Sequence, residues 1–502
     1  MLAWTIYLSF AGALIEALLP RSNARLARWF ALAVAVAALA VAAVGFFSAA
    51  GAGREVLVDL PWVPALGIHY LLAADGISRM LVLLTGLAAV SGTLFSWNIE
   101  ERTNQFFAFF LALIGGVYGV FLSFDLFLLF VFYEIAIVPK YFLVAIWGST
   151  RREYGAMKLV LYSFVGSSLV LIGLLAAYAS SGAHSTGLVA LAHANLPVWQ
   201  QMWLFPVVFI GFAVLAGMWP FHTWAPTGHV AAPTGASMLL AGVIMKLGAY
   251  GCLRVAMTLF PHGMDPWGCA FLGLGSWRDV FALLAVIGIV YGALVALVQT
   301  DFKFVIGYSS VSHMGFVLLG LMTLNQIGID GAVLQMFSHG IIAGLLFGVV
   351  GRIVYSRTHT RELDKLETMH LGRRLPFAAA AFVIAGVASM GLPGFSGFIA
   401  ELQILVGSWH YNPVWTIATA VGIVIGVAYT WRAMQKAFFA DRAPTPDEHP
   451  KTGWPDLGAI TWPEYAGVAL LVLSSLAVGL YPRILLDSVE PAVKALLAGG
   501  IQ

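Results

Sequence analysis

Runs of about twenty apolar residues recur from one end of the chain to the other, and each can cross the hydrocarbon core of a bilayer as a helix. Hydropathy marks about fourteen of them, near residues 2–19, 27–48, 76–97, 105–123, 125–147, 157–180, 203–224, 232–256, 279–300, 304–322, 331–355, 376–400, 414–439 and 463–484. The 502 residues are 60% hydrophobic and 10% charged, whereas a soluble chain carries roughly a quarter charged residues. The chain therefore reads as an all-α polytopic membrane protein with no soluble domain between its spans. The first run, Leu2 to Leu19, has no basic region before it and no small-residue cleavage site. It reads as the first span and not as a removed signal peptide. A net charge of +2 gives no reason to expect a nucleic-acid partner. Cys252 and Cys269 lack any CxxC spacing, so zinc, iron–sulfur or haem ligation and a disulfide framework are not expected.

Arginine and lysine gather on alternate connections: Arg21, Arg25 and Arg28 after span 1, Arg102 before span 4, and Arg151 and Arg152 after span 5. Arg357, Arg361, Lys365, Arg373 and Arg374 follow span 11, and Arg442 follows span 13. The positive-inside rule puts these connections in the cytoplasm, and both termini on the other side. Arg54 and Arg278 break the pattern. Residues 1–100 form spans 1–3, and Asp441 to Asp456 is a Pro-rich connection before the last span, 463–484. Span 7 carries Gly217 and Pro220; span 12, five spans later, carries Gly391-Leu392-Pro393-Gly394 and Gly397. Interruptions at corresponding places are the mark of an inverted structural repeat with ion sites at the breaks. The expected repeats are spans 4–8 (105–256) and 9–13 (279–439). Ordinary kinked helices are the plainer alternative.

A charge at mid-membrane costs about 2.5–3.5 kcal/mol on insertion scales, which marks such residues as candidates for function. Glu134 lies mid-span 5, Lys246 mid-span 8, and Glu401 follows the break in span 12; His313 and His339 sit within spans 10 and 11. None has an oppositely charged partner one helical turn away, so partners must come from other helices or from water. Carboxylate, amine and imidazoles spread across a bilayer can pass a proton through intervening water. A glutamate–lysine pair that opens and closes is also an electrostatic switch. Structural duties compete with this reading: Glu401 could cap the helix break, and His313 could be satisfied by Ser309, Ser310 and Ser312. His222, His229 and Asp125 fall near span ends, where solvation is cheap, and are not expected in the path.

The segment from Phe212-Ala213-Val214-Leu215 through Pro220-Phe221-His222-Thr223-Trp224 and on to Lys246 resembles the proton-channel signature of the M-type, antiporter-like subunits of bacterial complex I, the NADH–quinone oxidoreductase. So do Pro61-Trp62-Val63-Pro64 with Ala74-Asp75-Gly76-Ile77-Ser78, and Tyr133-Glu134 through Pro139 with Tyr141-Phe142-Leu143. Further matches are Gln299-Thr300-Asp301-Phe302-Lys303, Tyr308 through Gly315, and Ser338-His339-Gly340. The resemblance implies an inverted-repeat fold inside a larger respiratory assembly of the bacterial inner membrane, with L-, N- or second M-type subunits as partners. It implies proton pumping coupled to quinone reduction by NADH or another donor. No cofactor is expected in this chain; quinone, FMN and iron–sulfur clusters would belong to other subunits. Carried over residue by residue, it gives Glu134, Lys246, His339, Glu401 and His313 as proton-path positions. A glutamate at position 401 resembles subunit M, where subunits L and N have lysine. The sequence stops at Gln502, so the long lateral helix of subunit L is not expected.

The departures cluster. Leu215 stands where the family has the span 7 lysine that pairs with Glu134; Gly217 stands for a proline, and Thr227-Gly228 for Asp-Ala. Lys140 occupies a position where the family usually has methionine. It is six residues from Glu134, about 120° round an ideal helix, with Pro139 between them to bend it. Lys140 either replaces the missing lysine or snorkels at the helix end. Two rival functions stay open. One is a subunit of a Mrp-type cation/proton antiporter or a membrane-bound hydrogenase complex. The other is a structural, non-pumping subunit.

Overall fold

The computed structural model describes residues 1–20, 23–48, 53–194, 196–267, 274–440 and 457–498. Arg21, Cys269, Arg442 and the Asp441–Asp456 connection lie outside the described residues. The bundle runs α1 (Trp4–Leu18), α2 (Ala24–Phe47), a hairpin of β1 (Glu55–Val63) and β2 (Ile68–Ala74), α3 (Gly76–Phe95), α4 (Thr103–Leu122), α5 (Leu126–Trp147) and α6 (Arg152–Ser181). It continues with α7 (Val198–Ala216), α8 (Trp224–Ala231), α9 (Thr234–Leu259), α10 (Trp277–Val298), α11 (Phe302–Met322) and α12 (Gln326–Thr358). Last come α13 (Pro376–Ser389), α14 (Ser396–Tyr411), α15 (Pro413–Phe439), α16 (Trp462–Leu480) and α17 (Arg483–Leu497). Among the described residues twelve helical spans, with α7 and α8 taken as one, are long and apolar enough to cross a membrane; α1 and α13 are apolar but shorter.

Two elements were not expected. The first-loop segment forms an antiparallel hairpin, with Glu55 opposite Ala74 and Val63 opposite Ile68. Its turn ends at Gly67 (φ 64°), where a Cβ would lie 1.9 Å from the His184 carbonyl oxygen, so only glycine fits. From β2 the chain enters α3 through Asp75, whose Oδ1 accepts the Ser78 amide at 2.9 Å while Oδ2 pairs with buried Arg254. Every residue of α3 is buried. The second is α17, which lays Leu485, Leu486, Val489, Ala492 and Val493 on α3 and α12.

Both expected breaks are present, and they have one design. α7 ends where Gly217 turns left-handed (φ 81°). The Gly217 amide donates to Val214 O at 3.1 Å, and the Met218 amide to Ala213 O at 3.0 Å. α13 ends at Gly391 (φ 75°), with Gly391 donating to Ala388 O at 3.3 Å and Leu392 to Val387 O at 3.1 Å. Each is a Schellman motif, which satisfies orphan carbonyls and stops the helix.

A second pattern also recurs. Asp125 caps α5 by accepting the Phe127 and Leu128 amides at 3.0 and 3.1 Å, and Asp301 caps α11 through Lys303 and Phe304 at 2.8 and 3.3 Å. Beside Asp125, Leu126 donates to Thr186 O at 3.0 Å and Leu188 to Phe124 O at 2.8 Å; beside Asp301, Phe302 donates to Arg361 O and Leu363 to Thr300 O, both at 2.8 Å. Asp125 is fully buried, so its placement in a solvated span end is corrected: the returning segment covers it. Arg278, which broke the charge pattern, has a local duty. Its guanidinium donates to the Met322 and Thr323 carbonyls at 2.7 and 2.6 Å, closing the end of α11.

Candidate functional site

Four of the six candidate residues form one chain of contacts across α9, α12, α11 and α14. Lys246 follows a π-helical turn, Leu240–Ile244, which widens α9 and leaves the Ala241 carbonyl able to accept from the Lys246 amine. Such turns are frequent at functional sites. The same amine lies 2.8 Å from His339 Nδ1 on α12. The two helices meet this closely because glycines face each other: a Cβ on Gly340 would lie 2.7 Å from Gly242 O. The His339 ring stacks on His313 of α11, with centroids 5.4 Å apart and planes at 29°. His313 Nδ1 lies 3.2 Å from Glu401 Oε1 on α14, and its Nε2 lies 3.2 Å from Ser389 Oγ. Gln335 donates to the same Glu401 oxygen at 3.4 Å. Lys246, His339 and Glu401 are all buried. Glu401's partners are thus side chains of the chain itself, although it sits at the break: a Cβ on Gly391 would lie 3.0 Å from its Oε2.

Glu134 and Lys140 form a second group, between α5 and α6. Lys140 is 1% exposed, and its amine donates to Ser163 Oγ at 2.9 Å; it does not snorkel at a helix end. Ser167 lies one turn further along α6, its hydroxyl donating to Phe164 O at 3.3 Å. Glu134 is half-buried, and its Oε1 is sealed without a hydrogen-bond partner among the described residues. Leu215 is buried on α7, where the backbone of Leu215 and Ala216 presses on Gly248 of α9, two residues beyond Lys246. Position 215 therefore carries a buried apolar residue on a helix packed against α9.

Sequence reasoning set aside two histidines that the fold puts inside. His222 and His229 are 2% and 0% exposed, and neither ring nitrogen of either has a partner among the described residues. They looked like span-end residues because hydropathy does not show that the break after α7 folds α8 back into the bundle. His229 packs on Phe347, with ring centroids 5.1 Å apart. Two lysines were also missed. Lys158 of α6 donates to Thr227 Oγ1 at 3.3 Å. Buried Lys303 donates to Ala232 O at 3.1 Å and lines a cavity of about 330 Å³ with Ser96, Asn98, Ser149, Thr234 and His359. The signal available for the histidines was Pro220 and Gly228 close beside them within an apolar run; Lys158 and Lys303 carried none of that kind.

A multi-pass bundle with two helices stopped at left-handed glycines, and a buried lysine–histidine–histidine–glutamate chain beside one of them, defines an antiporter-like membrane protein. Sequence and structure comparisons agree on the family. The family described as NADH:quinone oxidoreductase/Mrp antiporter, TM, matches residues 123–426. NADH-quinone oxidoreductase subunit M of Rhodobacter capsulatus is 35% identical over 516 aligned residues, covering 99% of this chain and 96% of that protein. A chain of respiratory complex I from Thermus thermophilus superimposes with a TM-score of 0.88 at 26% identity, covering 99% of both chains. A chain of the Mrp complex from Dietzia sp. DQ12-45-1b shares the fold, with a TM-score of 0.82 at 21% identity over 99% of this chain and 97% of that one. The chain belongs to the NADH:quinone oxidoreductase/Mrp antiporter family, on its subunit M side.

Proposed function

We propose that this chain is an M-type subunit of the membrane arm of an NADH–quinone oxidoreductase and moves protons across the bilayer. The kinship to subunit M supports the assembly, and the Lys246–His339–His313–Glu401 chain supports the transport. In the static arrangement the Lys246 amine lies 2.8 Å from His339 Nδ1, within reach for a proton to pass between them. Stacking brings the two imidazoles together, and Glu401 waits on His313 Nδ1 as the terminal acceptor. Imidazoles suit the middle of such a path, since each can take a proton on one nitrogen and release it from the other. The buried, unpartnered His339 Nε2 and His229 nitrogens are places where bridging water would dock.

The cavity beside Lys303 lies at the ends of α3 and α5 and the start of α11, the side that the arginine-rich connections assign to the cytoplasm. It supplies the entrance. The matched breaks and matched Asp125 and Asp301 caps support inverted repeats over 105–256 and 279–439. Partners are further antiporter-like subunits of the L, N or second M type, in a bacterial inner membrane, with both termini on the non-cytoplasmic side. Electron transfer by quinone, FMN and iron–sulfur centres belongs to other subunits.

The test is the assembled complex in sealed vesicles. Lys246→Ala and Glu401→Gln should each cut donor-driven proton uptake several-fold while the complex stays intact. Buried Leu215 favours a second reading, a structural subunit that does not pump. That reading expects normal uptake from both variants, and such a result would sink the proposal.

A further inference from the structure

Glu134 poses a problem that the lysine–histidine chain does not solve. It is an ionisable group inside the membrane region, on a helix whose neighbouring positions carry exposed apolar side chains such as Val138 at 50% and Phe142 at 36%. Its Oε1 is sealed and unpartnered. A charge placed in the membrane region without an opposite charge is costly. Position 215, where the resemblance implies a cation for it, is a buried leucine.

A cation does lie close by, on the same helix. Lys140 is as buried as any core residue, and burying an amine without purpose is costly. The angular gap between positions 134 and 140 rules out a direct stack along α5. Helix α6 bridges that gap. Its Ser163 takes the Lys140 amine at 2.9 Å, and Ser167 follows one turn later on the same helix. The amine rests on Ser163, and no direct ion pair joins Lys140 to Glu134 among the described residues. About 9 Å of helix rise separates their backbones, a span that the long lysine stem and one hydroxyl can close or open.

We infer that Lys140 is the switching cation of Glu134 in this chain: the pair, with Ser163 as the resting partner of the amine, takes the place of one between α5 and α7. Opening puts the amine on Ser163, as seen here, and closing puts it on the carboxylate. The inference rests on the proton-translocation reading above. It differs from it in location: the moving charge sits on the α6 side of Glu134, away from the Lys246 chain.

The experiment uses the whole complex in vesicles with four variants. Lys140→Met should cut proton uptake several-fold with assembly intact, and Lys140→Arg, which keeps the charge, should retain most of it. Adding Leu215→Lys to Lys140→Met should recover uptake, because position 215 would again offer Glu134 a cation. Normal uptake from Lys140→Met overturns the inference, and so does an equal loss in the Met and Arg variants, which would mark a steric role. An assembled double variant without recovery overturns the equivalence of the two positions. Lys246→Ala separates the two levels. If it stops uptake while Lys140→Met does not, only the relocated pair fails; if neither variant has an effect, the translocation reading fails.

Discussion

At the scale of single residues, charges in apolar runs were legible at once, because nothing but function or a partner repays their burial. Their partners were not. The contact between Lys246 and His339 joins residues 93 apart in sequence, and it depends on glycines whose role appears only when helices meet. Gly340→Ala is the sharpest check on that contact. The added methyl would lie 2.7 Å from Gly242 O, and such overpacking costs about 1–3 kcal/mol. The variant should unfold at lower temperature in detergent and pump less, since α9 and α12 must separate. An unchanged melting curve together with unchanged uptake would show that the crossing is loose. His222 and His229 were misjudged for a related reason: distance from a span end in sequence is not distance from solvent once the span is broken.

Among the elements, the two breaks were legible because Gly and Pro interrupt long apolar runs at matching places. Their shared Schellman geometry has an energetic corollary. A non-glycine residue in the left-handed region costs about 1–2 kcal/mol, so Gly217→Ala and Gly391→Ala should each lower stability by that amount. Gly391→Ala should also perturb transport, because its methyl would meet Glu401 Oε2 at 3.0 Å, whereas the nearest atom to one on Gly217 is the flexible end of Met245. Comparing thermal stability with proton uptake for the two variants separates these effects. The hairpin escaped the sequence reading because a search for long apolar runs passes over the short, alternating stretch Val56, Val58, Leu60. Helix α17 escaped because only one stripe of it is apolar, and Pro491 interrupts its pattern.

For the molecule as a whole, the orientation proposed from arginine and lysine placement yields a direct measurement. In a chain lacking Cys252 and Cys269, Ser180→Cys should react with a membrane-impermeant thiol reagent added to spheroplasts. Glu153→Cys, at the other end of α6, should react only after the membrane is opened. Both positions are exposed; the reverse labelling order would invert the topology and move the proposed entrance to the other face. The overall class, a polytopic bundle, was plain from composition. How the spans are arranged around one another was not, because hydropathy ranks segments by apolarity and not by depth in the protein.

Helix α3 is the plainest case of a deep span with modest apolarity. Its mean hydropathy is 1.6 against 2.6 for α2 at the rim, yet its span is buried completely and that of α2 only by a third. It meets protein on every side, and α9 and α12 lean on it. Leu84 sits where a Cβ on Gly340 would be 2.7 Å away, and Ala88 where one on Gly242 would be 3.9 Å away. The separation of α9 from α12 is therefore gauged by two aliphatic side chains on a third helix. The gap between Lys246 and His339 is set by the bulk of residues on a helix that carries neither of them.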